Sequence, residues 1–410
     1  MNIGWISSSL PYLPSRGGFR ISGANLIPRL SRRHSIDLIS LLRDDDERHV
    51  DWIANYCNSV VTIPVRNATL LRRIAGSVSG YAFGKHLRCL VELESAVRSG
   101  FESRRWDVIH VEGGFVGGLI PVNLPTAKVL AVHDAEVLRA REMLQCSISL
   151  RDRLRHTARR YYEQRYERLV YPRFQRCVMV AQRDVAFNRT LVPNATFAMI
   201  PYGVDVDYFC PLRIEKESSA LVFHGHLGYP PNIQAAIEFA DQILPVILRE
   251  VPNLTFHLVG ASPAREIRNL ALRREIKLSA DLPDLRSALA SAQVYVCALR
   301  YGTGIKNKIL EAMAMQLPIV GYRGSMAGIE CTPGRDLIVA NTPEEFAIAV
   351  LDLLRRPERA RELAQAGRKL VETKYSWASM AVAYESLYQE VIAERNAGRK
   401  REALDNLVEV

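Results

Sequence analysis

Short apolar segments alternate with stretches of helical periodicity along this chain, and the alternation starts twice. In the first half, an apolar segment at residues 2–7 (NIGWIS) is followed by a helical pattern over 22–33 and by a second apolar segment at 35–41. Strands that alternate with helices in this way are typical of a parallel sheet with helices on both faces. Further strands of this first sheet are predicted at residues 59–64, 107–111, 127–132, 178–181 and 198–200.

The alternation begins again with an apolar segment at Ala220–His224, which an amphipathic helix follows over residues 231–250. Another helix is predicted to begin near Lys306, and from residue 345 onward the periodicity is helical. Additional strands of this second sheet are predicted at residues 254–259, 277–279, 292–298 and 318–322. The sequence therefore predicts an α/β fold of two Rossmann-like, doubly wound domains, in which ligands bind outside the carboxyl ends of the strands.

A change in composition sets the predicted domain boundary. Residues 202–218 contain Gly203, Pro211 and a charged segment, which is typical of a link between domains. We expect an N-terminal domain over residues 1–203, a C-terminal domain over 204–375, and a helical segment over 376–410 whose end is frayed.

The net charge and the cysteines limit the class of protein. A formal charge of +10 over 410 residues favours anionic partners, although a solvated basic surface without a partner is an equal alternative. The seven cysteines lack CxxC spacing, which predicts free thiols in a reducing compartment. The sequence start does not resemble a signal peptide, and no apolar run approaches the roughly 20 residues of a membrane span. We therefore expect a cytoplasmic protein.

The segment at residues 301–320 (YGTGIKNKILEAMAMQLPIV) carries the strongest functional signal. Gly302 and Gly304 precede a predicted helix, and a glycine loop at a helix N-terminus offers free N–H groups to a phosphate. Lys306 and Lys308 stand at the same helix start, where cations oppose the helix dipole unless an anion binds there. We interpret this segment as a phosphate site, the alternative being two solvated lysines.

Glu311 lies in an apolar run on the same predicted helix. A carboxylate in such a run needs a polar partner, because burial of an unpaired charge is costly. Two neighbouring ribose hydroxyls would satisfy it. The alternative is a surface glutamate that flanks the core.

Four segments together resemble family 4 glycosyltransferases, which are retaining enzymes with the two-domain GT-B fold. Residues 304–321 (GIKNKILEAMAMQLPIVG) resemble the donor-site motif, and residues 200–205 (IPYGVD) resemble the interdomain signature. Residues 221–232 (LVFHGHLGYPPN) are similar to the first strand and loop of the second domain. Ser376-Trp377 and the helix after it resemble the helix that returns to the N-terminal domain in this family. The resemblance covers nearly the whole chain and is nearest to bacterial sugar transferases for exopolysaccharides and related glycans.

The resemblance implies that the C-terminal domain binds a nucleotide sugar and that the N-terminal domain binds the acceptor. Glu311 would bind the ribose of the nucleotide. Lys306 or Lys308, with the loop Gly302-Thr303-Gly304, would hold the diphosphate. The loop Arg16-Gly17-Gly18 would approach the phosphates and the acceptor.

Three positions depart from the family pattern. The family has a glutamate that contacts the donor sugar eight residues before its ribose-binding glutamate, and here that position is Thr303. His226 replaces an arginine after the glycine of the C-terminal domain, and Tyr202 replaces an asparagine. His226 therefore becomes a candidate donor-binding residue, and the identity of the donor stays open.

His133 and Asp134 follow a predicted strand of the first domain, where the family often has a histidine near the transferring sugar. We predict that His133 is catalytic and that Asp134 either orients it or receives the acceptor proton, the alternative being a structural histidine. Glu112 ends the neighbouring strand and would either contact the acceptor or lie at a tight turn. His224 is less favoured as a functional residue because it lies inside a predicted strand.

The sequence thus predicts a retaining, hexosyltransferase-like glycosyltransferase that uses a UDP- or GDP-linked sugar as substrate, with no cofactor and no metal ion. Its acceptor would be a glycan, a lipid-linked molecule or a small molecule. The alternatives are a non-catalytic nucleotide-sugar-binding protein and a sugar-nucleotide epimerase on the same scaffold. No GxGxxG motif opens either sheet, which disfavours a dehydrogenase. The arginine-rich segment lacks the aromatic strand platform of a nucleic-acid binder.

Two basic segments of the N-terminal domain suggest contact with a membrane. Residues 69–89 are amphipathic, and residues 151–176 form a predicted helix with a dense set of arginines. Basic amphipathic segments bind anionic lipid surfaces. We therefore expect a peripheral position at the inner membrane face as an alternative to a freely cytoplasmic one, unless the arginines are simply solvated.

Overall fold

The chain divides into two compact units in a computed structural model that describes residues 1–13, 18–65, 87–145, 149–214, 219–300 and 305–408. The N-unit comprises Met1–Pro201 together with Met380–Val410. The C-unit comprises Tyr202–Ser379.

The described part of the N-unit contains a sheet of parallel strands. They are β1 (Asn2–Ser7), β2 (Ser35–Leu42), β3 (Ser59–Pro64), β4 (Val108–Glu112), β5 (Ala127–His133), β6 (Arg176–Met179) and β7 (Phe197–Met199). Their order is β3-β2-β1-β4-β5-β6-β7, so the direction in which strands are added reverses between β1 and β4.

Helices surround this sheet. They are α1 (Gly18–Leu30), α2 (Val50–Ala54), α3 (Leu87–Arg104), α4 (Glu136–Gln145), α5 (Leu150–Val170) and α6 (Gln182–Leu191). Shorter 3-10 turns occur at Asp44–His49, Gly114–Leu119 and Tyr171–Arg173. The terminal helix, Trp377–Val408, belongs to the N-unit from Met380 onward.

Strands β4 and β5 are buried at every position. Their sequences, VIHVE and AKVLAVH, are rich in valine and alanine, as expected for strands covered on both faces. Each nevertheless carries polar side chains, among them His110, Glu112 and His133. Buried polar groups require partners, so these residues mark the part of the N-unit where specific contacts are needed.

The terminal helix packs on the N-unit through polar as well as apolar contacts. Its Glu385 lies 3.0 Å from Nε2 of His34, and its Glu394 lies 2.5 Å from Arg176 of β6. Tyr388 of the same helix is fully buried. The helix therefore completes the core of the N-unit.

The C-unit contains a second sheet of parallel strands in its described residues. They are β8 (Ala220–His224), β9 (Thr255–Gly260), β10 (Ile276–Ala280), β11 (Val294–Cys297), β12 (Ile319–Tyr322) and β13 (Ile338–Ala340). Their order is β10-β9-β8-β11-β12-β13, so the direction reverses between β8 and β11.

The helices of the C-unit are α7 (Pro230–Glu238), α8 (Leu244–Glu250), α9 (Arg265–Leu270), α10 (Arg286–Ala290), α11 (Asn307–Ala314), α12 (Pro343–Arg355) and α13 (Pro357–Lys374). A 3-10 turn follows β12 at Arg323–Met326. Helix α12 has a well-formed start, because the Thr342 hydroxyl accepts a hydrogen bond from the Glu345 N–H at 3.2 Å and Pro343 occupies the first turn.

The predicted α/β class and the two parallel sheets are confirmed, and each predicted strand has a counterpart. Strand β13 was not predicted, since three residues carry little periodicity.

The predicted helix over 231–250 is interrupted by a π-helical turn at Phe239–Ile243, where Pro245 cannot donate its main-chain hydrogen bond. The predicted helix through 151–176 was too long: α5 ends at Val170, shortly before Pro172. None of the described helices combines the length and apolar character of a membrane span.

One carboxyl group lies inside the helical layer of the N-unit. Glu167 of α5 is fully buried, and its Oε2 accepts a hydrogen bond from Nδ2 of Asn188 on α6 at 3.3 Å. Burial is the main reason that the pKa of Glu167 is raised to about 8. The folded state therefore favours the protonated carboxyl in a pH range where the unfolded chain ionises it.

We predict that Glu167→Gln makes stability less sensitive to alkaline pH. The folded-state pKa of about 8 lies above the unfolded value of about 4.3. The free energy of unfolding of the wild type therefore falls as pH rises between these two values. The loss is about 1.4 kcal/mol per unit of pKa difference. The melting temperature of the variant should exceed that of the wild type by more at pH 9 than at pH 6.

The matched control is Glu94→Gln, which removes an exposed glutamate paired with Arg98 on α3. Its melting temperature should follow the wild type at both pH values. A Glu167→Gln effect of equal size at pH 6 and pH 9 would contradict the assigned pKa.

Candidate functional site

A pocket of about 360 Å³ opens at the carboxyl ends of β8 and β11 in the C-unit. The order of the sheet reverses between these two strands, and doubly wound folds bind ligands at such a reversal. The end of β8 and the start of α11 supply most of the polar groups. The lining residues are His224, Gly225, Tyr229, Pro231, Asn232, Leu299, Ile305, Lys306, Asn307, Lys308 and Glu311.

Glu311 enters this pocket from the second turn of α11. Its Oε2 lies 2.6 Å from Nε2 of His224, the last residue of β8. The His224 ring is buried and packs edge-on against Tyr295, with 5.4 Å between ring centroids. The Glu311 side chain remains 25% exposed. His224 therefore fixes the orientation of a carboxylate that still reaches the open pocket.

Lys308 is held close to the end of β8. Its Nζ donates a hydrogen bond to Oδ1 of Asn232 at 2.5 Å, and Nδ2 of Asn232 donates to the main-chain carbonyl of His226 at 2.8 Å. The same Nζ lies 4.6 Å from the centroid of the Phe223 ring, which attracts a cation. None of these contacts of the ammonium group is with a carboxylate.

A glycine permits this approach of Lys308 to the main chain. Gly225 has φ +150°, a conformation that other residues rarely adopt. A Cβ atom there would lie 2.7 Å from Nζ of Lys308. Gly225 therefore suits both this backbone conformation and the close approach of Lys308.

The start of α11 concentrates positive charge. Lys306 precedes the helix and Asn307 begins it, so both stand at the positive end of the helix dipole. Oδ1 of Asn307 is buried and has no partner among the described protein atoms. Burial lowers the pKa of Lys308 to about 8. An anionic ligand with a hydrogen-bond donor would satisfy all of these groups.

In the N-unit, His133 ends β5 in a strained conformation. Its φ is +71°, which is unusual for a residue other than glycine. The pairing of β5 with β6 shifts register between Ala131 and His133. A bulge of this kind redirects a side chain at the end of a strand. The His133 ring then packs against Phe19 of α1, with 4.4 Å between ring centroids.

A buried polar network in the N-unit contains four residues: Tyr388, His110, Glu112 and His133. Oε1 of Glu112 lies 2.8 Å from Nε2 of His133, and Oε2 of Glu112 lies 2.7 Å from Nε2 of His110. Nδ1 of His110 lies 2.7 Å from the hydroxyl of Tyr388. The His110 ring stacks on Trp5 at 3.8 Å. Glu112 is fully buried, and its neighbours in this network are the two histidines.

The histidines keep Glu112 ionised. Burial alone would raise the pKa of the Glu112 carboxyl, but the charges and hydrogen bonds of His133 and His110 lower it to about 2. Burial lowers the pKa of His110. At neutral pH the network therefore contains a carboxylate next to a neutral His110.

The remaining predicted residues are spread over both units. Asp134 is partly exposed, and its N–H donates to the carbonyl of Val132 at 3.1 Å. Gly18 begins α1. The His226 side chain is exposed, while its carbonyl holds Asn232. Gly17, Gly302, Thr303 and Gly304 lie outside the described residues, as do Arg16 and residues 69–86. The ligand-binding roles of all these residues stay predictions.

Sequence reasoning did not identify Asn232, Asn307, His110 or Tyr388 as parts of these sites. Asn232 and Asn307 each stand in the first turn of a helix after a strand of the C-unit, which was an available signal. His110 lies inside a buried strand, and Tyr388 is 278 residues away from it. No local pattern connects two residues at that separation.

Residues 218–356 match the family described as Glycosyl transferases group 1. This segment includes β8, α11 and every residue that lines the pocket. The C-unit is therefore similar to this family over the segment that forms the pocket. Within the described residues of the whole chain, no group of three or more His, Cys, Asp or Glu side chains is arranged to hold a metal ion.

Curated proteins match parts or most of this chain at low identity. An uncharacterized 44.6 kDa protein in the cps region of Klebsiella pneumoniae is 20% identical over 90% of this chain and 95% of its own length. A GDP-mannose-dependent monoacylated alpha-(1-6)-phosphatidylinositol monomannoside mannosyltransferase of Corynebacterium glutamicum is 25% identical over 47% of this chain. That match spans about half of the mannosyltransferase, 56% of its length.

Solved glycosyltransferase structures share the architecture of the whole chain. Sucrose-phosphate synthase from Thermosynechococcus elongatus superposes with a TM-score of 0.69 and 16% identity over 96% of this chain and 99% of its own. HepE from Anabaena, solved with UDP and glucose, gives a TM-score of 0.63 and 12% identity over 95% of this chain and 100% of its own. At these identities the likeness indicates a common fold, which is the GT-B arrangement of two parallel α/β sheets.

We predict that the C-unit binds a nucleoside diphosphate more weakly as pH rises through about 8, because Lys308 then loses its charge. Titration calorimetry with UDP and GDP between pH 7.5 and 9.5 measures this, since phosphate ionisation is complete above a pKa near 6. Lys308→Met should reduce affinity at pH 7.5 by about 1.5–3 kcal/mol and remove most of the pH dependence.

Lys374→Met supplies the control, because Lys374 lies on the C-unit surface and pairs with Glu330. It should leave both the affinity and the pH dependence unchanged. If wild type and Lys308→Met show the same slope of affinity against pH, Lys308 does not contact the phosphates.

Proposed function

We propose that this protein transfers a sugar from a nucleotide-diphospho-sugar donor to an acceptor hydroxyl, with retention of the anomeric configuration. The observation that carries the proposal is the convergence of Glu311, Lys306 and Lys308 on one pocket at the switch point of the C-unit sheet. The match of the same residues to the group 1 family supports it.

The pocket offers a separate partner for each part of a nucleotide. The Glu311 carboxylate, oriented by His224, would accept hydrogen bonds from the two ribose hydroxyls. Lys306, Lys308 and the N-terminus of α11 would hold the diphosphate. Tyr229 lines the pocket with half of its surface exposed and presents an aromatic ring to the base.

The donor is proposed to carry UDP or GDP. The mannosyltransferase from Corynebacterium glutamicum is described as GDP-mannose-dependent, and HepE was solved with UDP and glucose. Thr303 stands where family 4 enzymes have the glutamate that contacts the donor sugar. The sugar specificity is therefore expected to differ from that of enzymes with two motif glutamates.

The chemistry follows from the charges at α11. The bond from the sugar C1 to the acceptor oxygen forms as the bond from C1 to the phosphate oxygen breaks. The acceptor proton passes to the leaving phosphate, so atoms and charge balance. The two lysines and the N–H groups of α11 stabilise the negative charge that develops on the diphosphate. We propose that the N-unit binds the acceptor and that His133 lies near the transferring sugar.

We predict slow donor hydrolysis in the absence of an acceptor. UDP-glucose, UDP-N-acetylglucosamine and GDP-mannose would be incubated separately with the protein, and release of UDP or GDP would be measured. Glu311→Ala should lose both nucleotide binding and release, while Glu358→Ala, at an exposed site of the C-unit, should retain both. Once an acceptor is found, proton NMR of the product should show the anomeric configuration of the donor.

The other outcomes discriminate between the alternatives. Nucleotide-sugar binding without release, with or without an acceptor, would favour a non-catalytic binding protein. Conversion of the sugar within the nucleotide sugar would favour an epimerase. A product of opposite anomeric configuration would contradict retention.

We further propose that the N-unit contacts anionic lipid surfaces through α5. Leu150, Leu154 and Tyr161 are 74%, 65% and 70% exposed and lie along one face of this helix. The exposed Arg153 and Arg165 flank that face. Apolar side chains bordered by arginines match the boundary between headgroups and acyl chains in an anionic membrane.

We predict that the protein floats with vesicles that contain phosphatidylglycerol but not with pure phosphatidylcholine vesicles. Each basic residue near the surface contributes about 1 kcal/mol, so raising the salt concentration should reduce binding. Leu150→Ser combined with Leu154→Ser should reduce flotation. Leu272→Ser is the matched control, because Leu272 is 84% exposed on the C-unit. Undiminished flotation of the α5 variant would exclude α5 as the contact.

A further inference from the structure

We propose that His224 is a positioning residue that keeps the Glu311 carboxylate away from Lys308, so that the carboxylate receives the ribose hydroxyls and the ammonium group receives the diphosphate. This inference deepens the proposed function and rests on it for the identity of the ligand as a nucleotide. The separation of the two charges in the ligand-free protein is a property of the C-unit alone and can be measured without a nucleotide.

Glu311 and Lys308 stand three residues apart on α11. Side chains at this spacing are neighbours on a helix, and opposite charges there attract each other. A direct pair would occupy both charges and leave neither for a ligand. The described contacts of the two side chains lead in different directions instead. Oε2 of Glu311 lies 2.6 Å from Nε2 of His224, and Nζ of Lys308 donates to Oδ1 of Asn232 at 2.5 Å.

The position of His224 directs its ring toward Glu311. The residue is the last of β8 and is buried. Tyr295 packs edge-on against the ring, with 5.4 Å between ring centroids. An ionised carboxylate has no proton to donate, so the hydrogen bond between Nε2 and the carboxylate is donated by the ring. His224 therefore holds Oε2 from the β8 side of the pocket.

The other ring nitrogen of His224 argues against a role in packing alone. Nδ1 is buried and has no hydrogen-bond partner among the described protein atoms. A buried polar atom without a partner costs free energy of folding, and most buried polar groups avoid this cost. A phenylalanine ring would fill the space beside Tyr295 without it. The described hydrogen bond of the His224 ring goes to a residue of the pocket, which points to a role in ligand binding.

A carboxylate held in one orientation gives the pocket a way to recognise ribose. The Glu311 side chain lines the pocket and remains 25% exposed while His224 holds its Oε2. Two neighbouring hydroxyls can both donate to an oriented carboxylate, whereas a 2′-deoxy sugar has one of these donors fewer. A carboxylate that turned toward Lys308 would lose this preference. The preference for ribose over 2′-deoxyribose therefore depends on His224.

The first test needs no nucleotide. Nuclear magnetic resonance of the lysine side chains follows the titration of Lys308, and Lys308→Met assigns its signal. Burial lowers the pKa of Lys308 to about 8 in the wild type. In His224→Phe the released carboxylate should pair with the ammonium group and raise this pKa above about 9. Adding Glu311→Gln to His224→Phe should cancel the rise.

The other ionisable groups that act on Lys308 are unchanged in these variants. They are the Cys297 thiol of β11 and Lys306, which precedes α11. A change in the titration of Lys308 can therefore be assigned to the Glu311 carboxylate. An unchanged titration in His224→Phe would overturn the proposal whether or not the protein transfers sugar.

His257→Phe is the matched control. His257 is a buried histidine of β9, the strand next to β8, and its Nε2 lies 2.8 Å from Oγ of Ser279. The substitution removes a hydrogen-bonded ring from the same sheet without touching the lining of the pocket. It should leave the titration of Lys308 at the wild-type value.

The second test compares UDP or GDP, whichever binds more tightly, with its 2′-deoxy form by titration calorimetry. The wild type should bind the ribo form at least about tenfold more tightly, because the deoxy form lacks one hydrogen bond to a charged group. His224→Phe should weaken binding of the ribo form and bring the two affinities within about twofold of each other. His224→Gln, whose amide can donate to the carboxylate, should recover part of the ratio. His257→Phe should retain the wild-type ratio.

The outcomes separate this inference from the proposed function. If His224→Phe weakens the ribo and deoxy forms equally, His224 only supports the pocket, and the positioning role is overturned while nucleotide binding stands. Absence of nucleotide binding in the wild type would count against the proposed function, and the titration of Lys308 would still decide the charge separation. If His224→Phe fails to fold, His224→Met, which also lacks a donor, decides both tests.

Discussion

A parallel sheet that is covered on both faces tolerates polar side chains mainly at the ends of its strands, and both units of this protein are organised by that constraint. Strands β4 and β5 are fully buried, and their terminal residues are Glu112 and His133. In the C-unit, β8 is equally buried and ends in His224. Glu112 and His224 end strands that flank the points where the strand order reverses, and His133 ends the strand next to β4. The positions of the candidate sites therefore follow from topology before any chemistry is considered.

The two sites surround a buried charged group with different kinds of partner. In the C-unit, the immediate contacts of Lys308 are an amide oxygen and an aromatic ring, and none of them is a carboxylate. The positive charge of Lys308 therefore remains available to an anion. In the N-unit, the Glu112 carboxylate lies within 2.8 Å of the ring nitrogens of two histidines, His133 and His110. A sugar nucleotide carries its negative charge on the diphosphate and its hydroxyls on the sugar. Under the proposed function, the two sites would serve different parts of the transfer reaction.

Much of the fold could be predicted from the sequence, because alternating strands and helices are local patterns. The pocket at Lys306, Lys308 and Glu311 could be predicted for the same reason, because a strand, a loop and a helix start are adjacent in sequence. The partners of these residues were harder to foresee. His224 was disfavoured because it lies in a strand, yet as the last residue of β8 it orients Glu311. A proline interrupts the main-chain hydrogen bonds of a helix in two places. One is the π-helical turn at Phe239–Ile243, and the other is the end of α5 at Val170. Tyr388 could not be foreseen at all, since its contact with His110 depends on tertiary structure.

The contribution of the terminal helix to the N-unit has a consequence for biosynthesis. The hydroxyl that completes the network around His110 is encoded 278 residues after it. At translation rates of roughly 5–20 residues per second, His110 of β4 is synthesised about 15–55 s before Tyr388. During this interval the whole C-unit is synthesised, while the interior of the first sheet still lacks the side chain that covers His110. The nascent N-unit must therefore persist with an unfilled core, and a chain terminated early would contain its strands but not its finished site.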